Sequence, residues 1–255
     1  MTKIVLGGLI LAAAAGVANA QFPFTTGFEA PDYAPGALAG QQTWIEVNGG
    51  TGALTTNFQV VNGAGAFAGS QYVSTNTGTW GAFASNTSRY AWVDNTTNAS
   101  PVDASVMCYV GTSSGTLLSG GGMFLFANAG AGLVGGMRLL STGVLQLYNG
   151  AGSGIQFGAD LTLLNVYNEY HMNVDMVTGS INYYFNGIHL NPFLGAFPTT
   201  FTAGMQFSDA DLYAVRGTSG TGGSEVRWDD MSVTPAPGSL ALLGLGGLVA
   251  GRRRR

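Results

Sequence analysis

NEYHMNVDMVTGSINYYFNGIHL, residues 168–190, is the stretch of sequence that decides the fold. Over residues 170–176 every second residue is apolar and the residues between are polar, and the same alternation resumes over 181–185 after the turn VTGS. A period of two places the apolar side chains on one face of a strand. The stretch therefore predicts an antiparallel hairpin with one buried face, followed by a tight type I′ turn at Asn186-Gly187.

The same pattern extends through the body of the chain, where no helical periodicity of useful length occurs. Short β-branched and aromatic runs alternate with turn signals such as Asn149-Gly150. The predicted strands outside the hairpin are 43–47, 58–61, 89–93, 105–110, 122–127, 132–140, 144–148, 211–216 and 225–233. About a dozen short strands without intervening helices predict antiparallel pairing in two packed sheets, with a bulge at Asp229-Asp230 in the last strand.

The composition limits the classes of partner. Charged residues make up 9% of the 255-residue chain, against about 25% in ordinary soluble domains. Over residues 21–233 four arginines stand against thirteen carboxylates, a net charge of about −9. Nucleic-acid binding needs basic patches, so we expect no nucleic-acid partner. The single cysteine, Cys108, excludes an intrachain disulfide, and its apolar, alternating context predicts a buried, unreactive thiol.

The first twenty residues have the parts of a secretory signal peptide. Lys3 precedes an apolar run, and Ala18-Asn19-Ala20 supplies a small-x-small cleavage pattern. Such a segment directs export and is then removed. We therefore expect a signal peptide over residues 1–20 and a folded body over residues 21–233.

Residues 234–255 form a tail with three parts. Thr234-Pro235-Ala236-Pro237 is expected to end the last strand, because proline removes donors from the ladder. An uncharged apolar run, 240–251, follows, and the chain closes on Arg252, Arg253, Arg254 and Arg255. Because cations that flank an apolar helix stay on the cytoplasmic side, the tail predicts a short transmembrane helix with the body outside.

This tail resembles the PEP-CTERM sorting signal of bacterial exported proteins, in which a Pro-Glu-Pro motif precedes a hydrophobic helix and an arginine cluster. Pro235 and Pro237 match the two prolines, and Ala236 stands where the family has glutamate. The resemblance implies an exosortase-type transpeptidase as a partner. It also implies a protein that is held in the membrane by its C-terminal helix and then reaches the cell surface or the extracellular matrix.

The body resembles the concanavalin A-like (laminin G-like) jelly-roll domains of bacterial surface proteins. The matching residues are Phe28-Glu29, Pro35-Gly36-x-Leu38, Gly40-Gln41, Trp44, the hairpin of residues 169–187 and the closing WDDMSV, 228–233. The resemblance implies an all-β, antiparallel two-sheet jelly-roll sandwich. It further implies that the first and last strands lie side by side, which would bring Glu29 close to Asp229 and Asp230.

Few residues are candidates for binding a metal ion. Glu29, Asp229 and Asp230 offer hard oxygen donors, so structural calcium at the sandwich edge is the one cofactor that we consider. The alternative is that these carboxylates accept backbone N–H groups at a bulge. His171 and His189 are the only histidines, and without further ligands nearby in sequence they are expected to be surface residues rather than a zinc site.

The tryptophans are the candidates for sugar contacts, because an aromatic ring offers an apolar face to a pyranose ring. Trp80 has the most loop-like context and is the candidate ligand-binding residue. Trp44, Trp92 and Trp228 are expected to lie in the core.

No catalytic residue is expected. Retaining jelly-roll glycosidases need two carboxyl groups about 5–5.5 Å apart, and Asp209-Ala210-Asp211, at a predicted strand start, is the nearest approach to such a pair. The function expected from the sequence is a non-enzymatic cell-surface or matrix protein that binds extracellular polysaccharide. The alternatives are a carbohydrate-active enzyme, a glycoside hydrolase or lyase, on the same fold, and a structural coat protein with no ligand.

Overall fold

Two antiparallel β-sheets form the body of the protein. The structure, a computed structural model, describes residues 23–48, 55, 57–75, 87–94, 96–112, 119–128, 132–216 and 225–235. The strands within these ranges are β1 (Phe24–Thr26), β2 (Gly36–Ala37), β3 (Ile45–Asn48), β4 (Phe58–Asn62), β5 (Gln71–Thr75), β6 (Thr87–Trp92), β7 (Val102–Val110), β8 (Ser119–Ala127), β9 (Gly132–Leu140), β10 (Leu145–Tyr148), β11 (Gly154–Gln156), β12 (Tyr167–Asp175), β13 (Ser180–Phe185), β14 (Ile188–His189), β15 (Phe207–Arg216) and β16 (Val226–Pro235). Two 3-10 helices, Leu161–Leu163 and Asn191–Phe193, complete the described elements.

The strands divide into two sheets that pack face to face. Sheet I has the order β14-β13-β12-β7-β16-β5-β4-β2, with β1 added on β16, and sheet II has the order β11-β10-β9-β8-β15-β6-β3. Neighbouring strands pair antiparallel. In β7 buried residues alternate with half-buried ones along the whole strand, because one face meets the other sheet. The predicted all-β, two-sheet sandwich is therefore confirmed.

The hairpin that opened the sequence analysis forms as predicted. β12 and β13 pair from Tyr170 opposite Phe185 to Asp175 opposite Ser180, and their buried residues alternate with half-buried ones. Asn186 and Gly187 have φ angles of 49° and 75°. These are the values of a type I′ turn, which leads directly into β14.

The first and last strands lie side by side, as the jelly-roll resemblance implies. β1 pairs with β16, with Phe24 opposite Val233. The pairing of β16 with β7 shifts between Asp229 and Ser232, and Asp230 has a φ of 47°. This is the predicted bulge. It reverses the side on which the following residues of β16 lie.

Three boundary predictions are wrong. β16 continues to Pro235, which lies opposite Val102, because at the last position of a ladder a missing N–H interrupts no further pairing. Asn149-Gly150 is not a two-residue turn, because residues 149–153 connect β10 to β11 and Gly152 takes the positive φ of 74°. β15 starts at Phe207, four residues earlier than predicted.

The core lies between the sheets. Trp44 and Trp228 are almost fully buried, as predicted, and the Trp228 ring lies 5.1 Å from that of Phe58. Cys108 is fully buried, and burial raises the pKa of its thiol. The prediction of an unreactive cysteine is consistent with this environment.

The predicted signal peptide, Ala236, Pro237, the apolar run 240–251 and the four terminal arginines lie outside the described residues. Among the residues that are described, none forms a helix with the length and hydrophobicity required to traverse a bilayer.

Candidate functional site

The outer face of sheet II carries two acidic side chains that are almost fully buried. Along β15, Ala210 and Leu212 join the core, so the alternating residues Asp209, Asp211 and Tyr213 project from the opposite face. Both aspartates are only 4% exposed. Two carboxyl groups therefore lie on one face of a central strand, where they are nearly shielded from water.

Neighbouring strands place aromatic residues beside these aspartates. Phe126 on β8 lies opposite Asp209, and Tyr90 on β6 lies opposite Tyr213. Trp92, two residues after Tyr90, lies on the same face and pairs with Ile45 on the edge strand β3. The prediction that Trp92 belongs to the core is wrong: Ala91 and Val93 face inward, so Trp92 must face outward, where it is half-buried.

These residues surround an open cavity of about 310 Å³, which we call the Trp92 groove. Its lining residues are Ile45, Val47, Tyr90, Trp92, Asp94, Phe126, Asp209 and Asp211. The volume falls at the lower end of the range of about 300–1,000 Å³ for ligand sites in proteins. The groove combines aromatic and aliphatic walls with three carboxyl groups, the mixture expected of a site for an amphipathic ligand.

Asp209 and Asp211 act as a pair. Each carboxyl group influences the ionisation of the other, and Asp209 accepts a hydrogen bond of 2.5 Å from Ser208 Oγ. Burial raises the pKa of both groups, and their mutual repulsion adds to the increase for Asp211. The two carboxyl groups are therefore coupled, and both are harder to ionise than an exposed aspartate.

One hydrogen-bond acceptor in the groove has no donor among the described residues. Oδ1 of Asp211 is buried, and no hydrogen-bond donor among the described residues reaches it. Asp94 is exposed at the mouth of the groove. The two ion pairs formed by described residues, Asp103 with His171 and Arg227 with Glu225, lie on sheet I. Nothing in the described part of the chain thus neutralises the negative charge of the groove.

Beside the groove the same face of sheet II carries a locked polar and aromatic cluster. Arg138 donates to Gln146 Oε1 at 2.6 Å and to Tyr213 Oη at 2.8 Å. The rings of Phe124 and Tyr213 lie 4.3 Å apart. Phe124 can lie flat on the sheet only because Gly136 is beneath it, where a Cβ atom would be 2.5 Å from the ring. This cluster packs beside the groove, since the rings of Tyr90 and Tyr213 lie 5.0 Å apart, and it holds the half-buried Arg138 in two hydrogen bonds.

The predicted calcium ligands have another role in this structure. Glu29 accepts hydrogen bonds from the backbone N–H groups of Ser70 and Gln71, and Asp229 accepts those of Phe67 and Ala68. Both carboxylates thereby hold the connection between β4 and β5.

Burial opposes the ionisation of Glu29, but the hydrogen bonds from the amides of Gln71 and Ser70 outweigh burial, and the pKa of Glu29 is lowered. For Asp229 burial outweighs the hydrogen bonds, and its pKa is raised. The two side chains do lie close together, since both are within 4 Å of the Cβ position of Gly27. Asp230 is exposed and contributes its N–H to Asp229 Oδ1. Among the described residues no group of three or more His, Cys, Asp or Glu side chains is arranged to hold a metal ion. Calcium binding by Glu29, Asp229 and Asp230 stays a prediction, and the carboxylate of Asp229 accepts backbone N–H groups at the bulge, as the stated alternative has it for that residue.

The histidines lie away from the groove, on the outer face of sheet I. His171 is half-buried and its Nε2 lies 3.0 Å from Asp103 Oδ1. Its ring stacks on Tyr184, which stacks in turn on the exposed His189. Trp80, the predicted sugar-binding residue, lies outside the described residues.

No protein-family model matches the sequence, and no curated protein sequence matches it significantly. Solved structures do resemble it. Cellulose induced protein, Cip1, matches with a TM-score of 0.50 and 10% identity over 84% of this chain and 97% of its own. Bacillus licheniformis beta-glucanase matches with a TM-score of 0.49 and 12% identity over 83% and 97%. The carbohydrate binding module CBM66 from Bacillus subtilis matches with a TM-score of 0.41 and 6% identity over 70% and 92%.

At these identities the likeness concerns the fold alone. It agrees with the concanavalin A-like jelly-roll sandwich that the strand order describes. CBM66 is named as a carbohydrate binding module and the Bacillus licheniformis protein as a beta-glucanase, whereas Cip1 is named for its induction by cellulose. Any activity of the present chain has to be argued from its own groove.

Proposed function

We propose that this protein is exported, sorted to the cell surface by its tail, and binds polysaccharide in the Trp92 groove without cleaving it. The observation that carries the proposal is the half-exposed indole of Trp92 next to the exposed carboxylate of Asp94 in one open groove. A pyranose ring can place its C–H face on an aromatic ring while its hydroxyl groups donate to carboxylate oxygens. An acidic groove disfavours phosphate-rich polymers for the same electrostatic reason.

The geometry of the aspartates favours binding over hydrolysis. Retaining glycosidases separate their two carboxyl groups by about 5–5.5 Å and inverting enzymes by more. Asp209 and Asp211 are instead both only 4% exposed, and Asp209 Oδ2 is engaged by Ser208 Oγ. Carboxyl groups shielded in this way leave no room between them for a glycosidic bond.

A carbohydrate-active enzyme on this fold is the second candidate. It is favoured by the raised pKa of Asp211, which burial and the neighbouring Asp209 cause, together with the exposed carboxylate of Asp94. A protonated acid and an ionised carboxylate in one groove are the components that glycoside cleavage requires. Release of reducing ends or unsaturated products from a bound polysaccharide would select this candidate over the first.

We expect Trp92→Ala to weaken polysaccharide binding by about 30-fold or more, since a central tryptophan contact is worth about 2 kcal/mol or more. An array of neutral, amino and acidic glycans identifies the ligand of the full-length protein, and calorimetry then measures the affinity of the variant. Tyr184→Ala is the matched control, because this ring projects from the outer face of sheet I. Binding that is unchanged in Trp92→Ala, or the absence of any glycan ligand, would contradict the proposal.

Sorting by the tail has an independent test. Mass spectrometry of the surface-exposed protein is expected to find residues 1–20 missing and the C-terminus ending near Pro237. In cells that lack the exosortase the tail should be retained. A surface form that still carries Arg255 would show that the tail is not processed.

A further inference from the structure

We propose that the Trp92 groove selects sugars that carry a protonated amino group. This inference rests on the proposed function, and it adds the chemical class of the ligand. Three observations carry it: uncompensated negative charge, a buried acceptor without a donor, and aromatic walls beside both.

The negative charge of the groove has no counter-ion among the described residues. Asp94, Asp209 and Asp211 all line the groove, and the carboxylate of Asp94 is exposed at its mouth. Arg138, the described cation on the same face, is engaged by Gln146 and Tyr213. Carboxylates held in a groove of restricted water access attract a cation more strongly than they would at an open surface.

The buried acceptor favours a ligand that can donate a hydrogen bond as well as carry a positive charge. Oδ1 of Asp211 has no hydrogen-bond donor among the described residues. Water cannot easily supply one, because Asp211 is only 4% exposed. A buried carboxylate oxygen without a donor is costly, and a ligand that donates to it removes the cost. A neutral hydroxyl could supply one hydrogen bond, whereas an ammonium group supplies a charge-assisted bond of about twice the strength.

The aromatic walls suit a sugar that carries this cation. Trp92 and Tyr90 line the groove with the three aspartates. The negative face of an aromatic ring attracts a cation within about 6 Å, and it also accepts the apolar face of the sugar ring itself. A uronic acid would meet the same carboxylates with repulsion. A metal ion is a poorer occupant, because the described residues offer no group of three ligands arranged to hold one.

Three hexasaccharides with the same β-1,4 backbone test the inference. The substituent at the second carbon is an ammonium group in the glucosamine hexamer, a hydroxyl in cellohexaose and an acetamide in the N-acetylglucosamine hexamer. Calorimetry with the full-length protein near pH 6 is expected to show the glucosamine hexamer binding about tenfold or more tighter than the other two, as one charged hydrogen bond predicts. This preference should shrink at high salt.

Two variants locate the preference in the groove. Asp94→Asn at the exposed mouth, where folding is not at risk, and Asp211→Asn at the buried acceptor should each reduce the ratio of the glucosamine-hexamer and cellohexaose affinities to about twofold or less. Asp32→Asn, an exposed aspartate outside the groove, is the control and should keep the preference.

The outcomes separate the inference from the proposed function. If cellohexaose or the N-acetylated hexamer binds as tightly as the glucosamine hexamer, the amino-sugar selectivity is wrong and polysaccharide binding stands. The same conclusion follows if Asp94→Asn and Asp211→Asn leave the preference intact. If the folded protein binds none of the three hexamers, the amino-sugar selectivity is overturned, and the proposed function falls with it only if the glycan array finds no other ligand.

Discussion

Replacing Glu46 with alanine is expected to lower the free energy of unfolding by about 3–5 kcal/mol, the usual cost of removing one partner from a buried charge pair. Glu46 is 1% exposed and Arg89 is fully buried, both between the sheets beneath the Trp92 groove. Asn57 connects them. Its side-chain oxygen accepts from Arg89 Nε at 2.9 Å, and its backbone N–H donates to Glu46 Oε1 at 2.6 Å.

The carboxylate of Glu46 also ties the two sheets together. Its Oε2 accepts the backbone N–H of Phe58 on β4 at 3.0 Å, while Glu46 itself belongs to β3 of sheet II. Burial raises the pKa of Glu46, and hydrogen bonds together with the charge of Arg89 act against that increase. Alanine would leave Arg89 buried without its counter-charge and two backbone amides without an acceptor. The side chain that is lost belongs to β3, which supplies Ile45 and Val47 to the groove.

Urea unfolding of a double-mutant cycle checks this prediction. Glu46→Ala and Arg89→Met should each be strongly destabilising, and the double variant should cost about 1–3 kcal/mol less than their sum, because it buries no lone charge. Glu169→Ala, on the outer face of sheet I, is the control and should change stability by about 0.5 kcal/mol or less. Strictly additive losses would show that Glu46 and Arg89 do not act as a pair.

Periodicity was sufficient to predict the fold because strands such as β7, β12 and β13 alternate strictly between buried and half-buried residues. The alternation in residues 168–190 specifies the hairpin, and the pair Asp229-Asp230 marks the bulge at which that alternation shifts. The same rule, applied strictly, places Glu46 inward, two residues after the buried Trp44, and Trp92 outward, next to Ala91. Assigning Trp92 to the core because sandwich cores often contain tryptophan obscured this information.

The groove could not be predicted, because it depends on which strands become neighbours. Trp92 on β6 and Asp211 on β15 are far apart in the chain and meet only through antiparallel pairing of those two strands. Two aspartates at alternate positions, followed by Tyr213, were a local signal of a polar outer face. The length of β15 was needed to recognise it, since the predicted strand began only at Asp211.

The glycines of β8 and β9 give the second large effect. Gly122→Ala is expected to destabilise the protein by about 3 kcal/mol or more, the upper range for forced overpacking of a structure. A Cβ atom on Gly122 would overlap the carbonyl oxygen of Met137 and lie 2.7 Å from Cα of Arg138. Both are backbone atoms of β9, so no side-chain rotation can relieve the overlap, and the two strands must separate.

Such a separation would reach both sides of sheet II. On the inner side the carbonyl oxygen of Gly122 accepts the indole N–H of Trp228 at 3.0 Å, a contact between the two sheets. On the outer side Gly122 lies between Tyr213 and Arg138 in the strand register, where the Arg138–Tyr213 hydrogen bond passes. Gly158→Ala is the control, because no atom lies within 4 Å of its Cβ position, and it should be neutral or stabilise by about 0.4–1 kcal/mol. Equal unfolding midpoints for Gly122→Ala and Gly158→Ala would show that β8 and β9 can separate without cost. The close approach of their backbones would then not be what holds the outer face of sheet II in place.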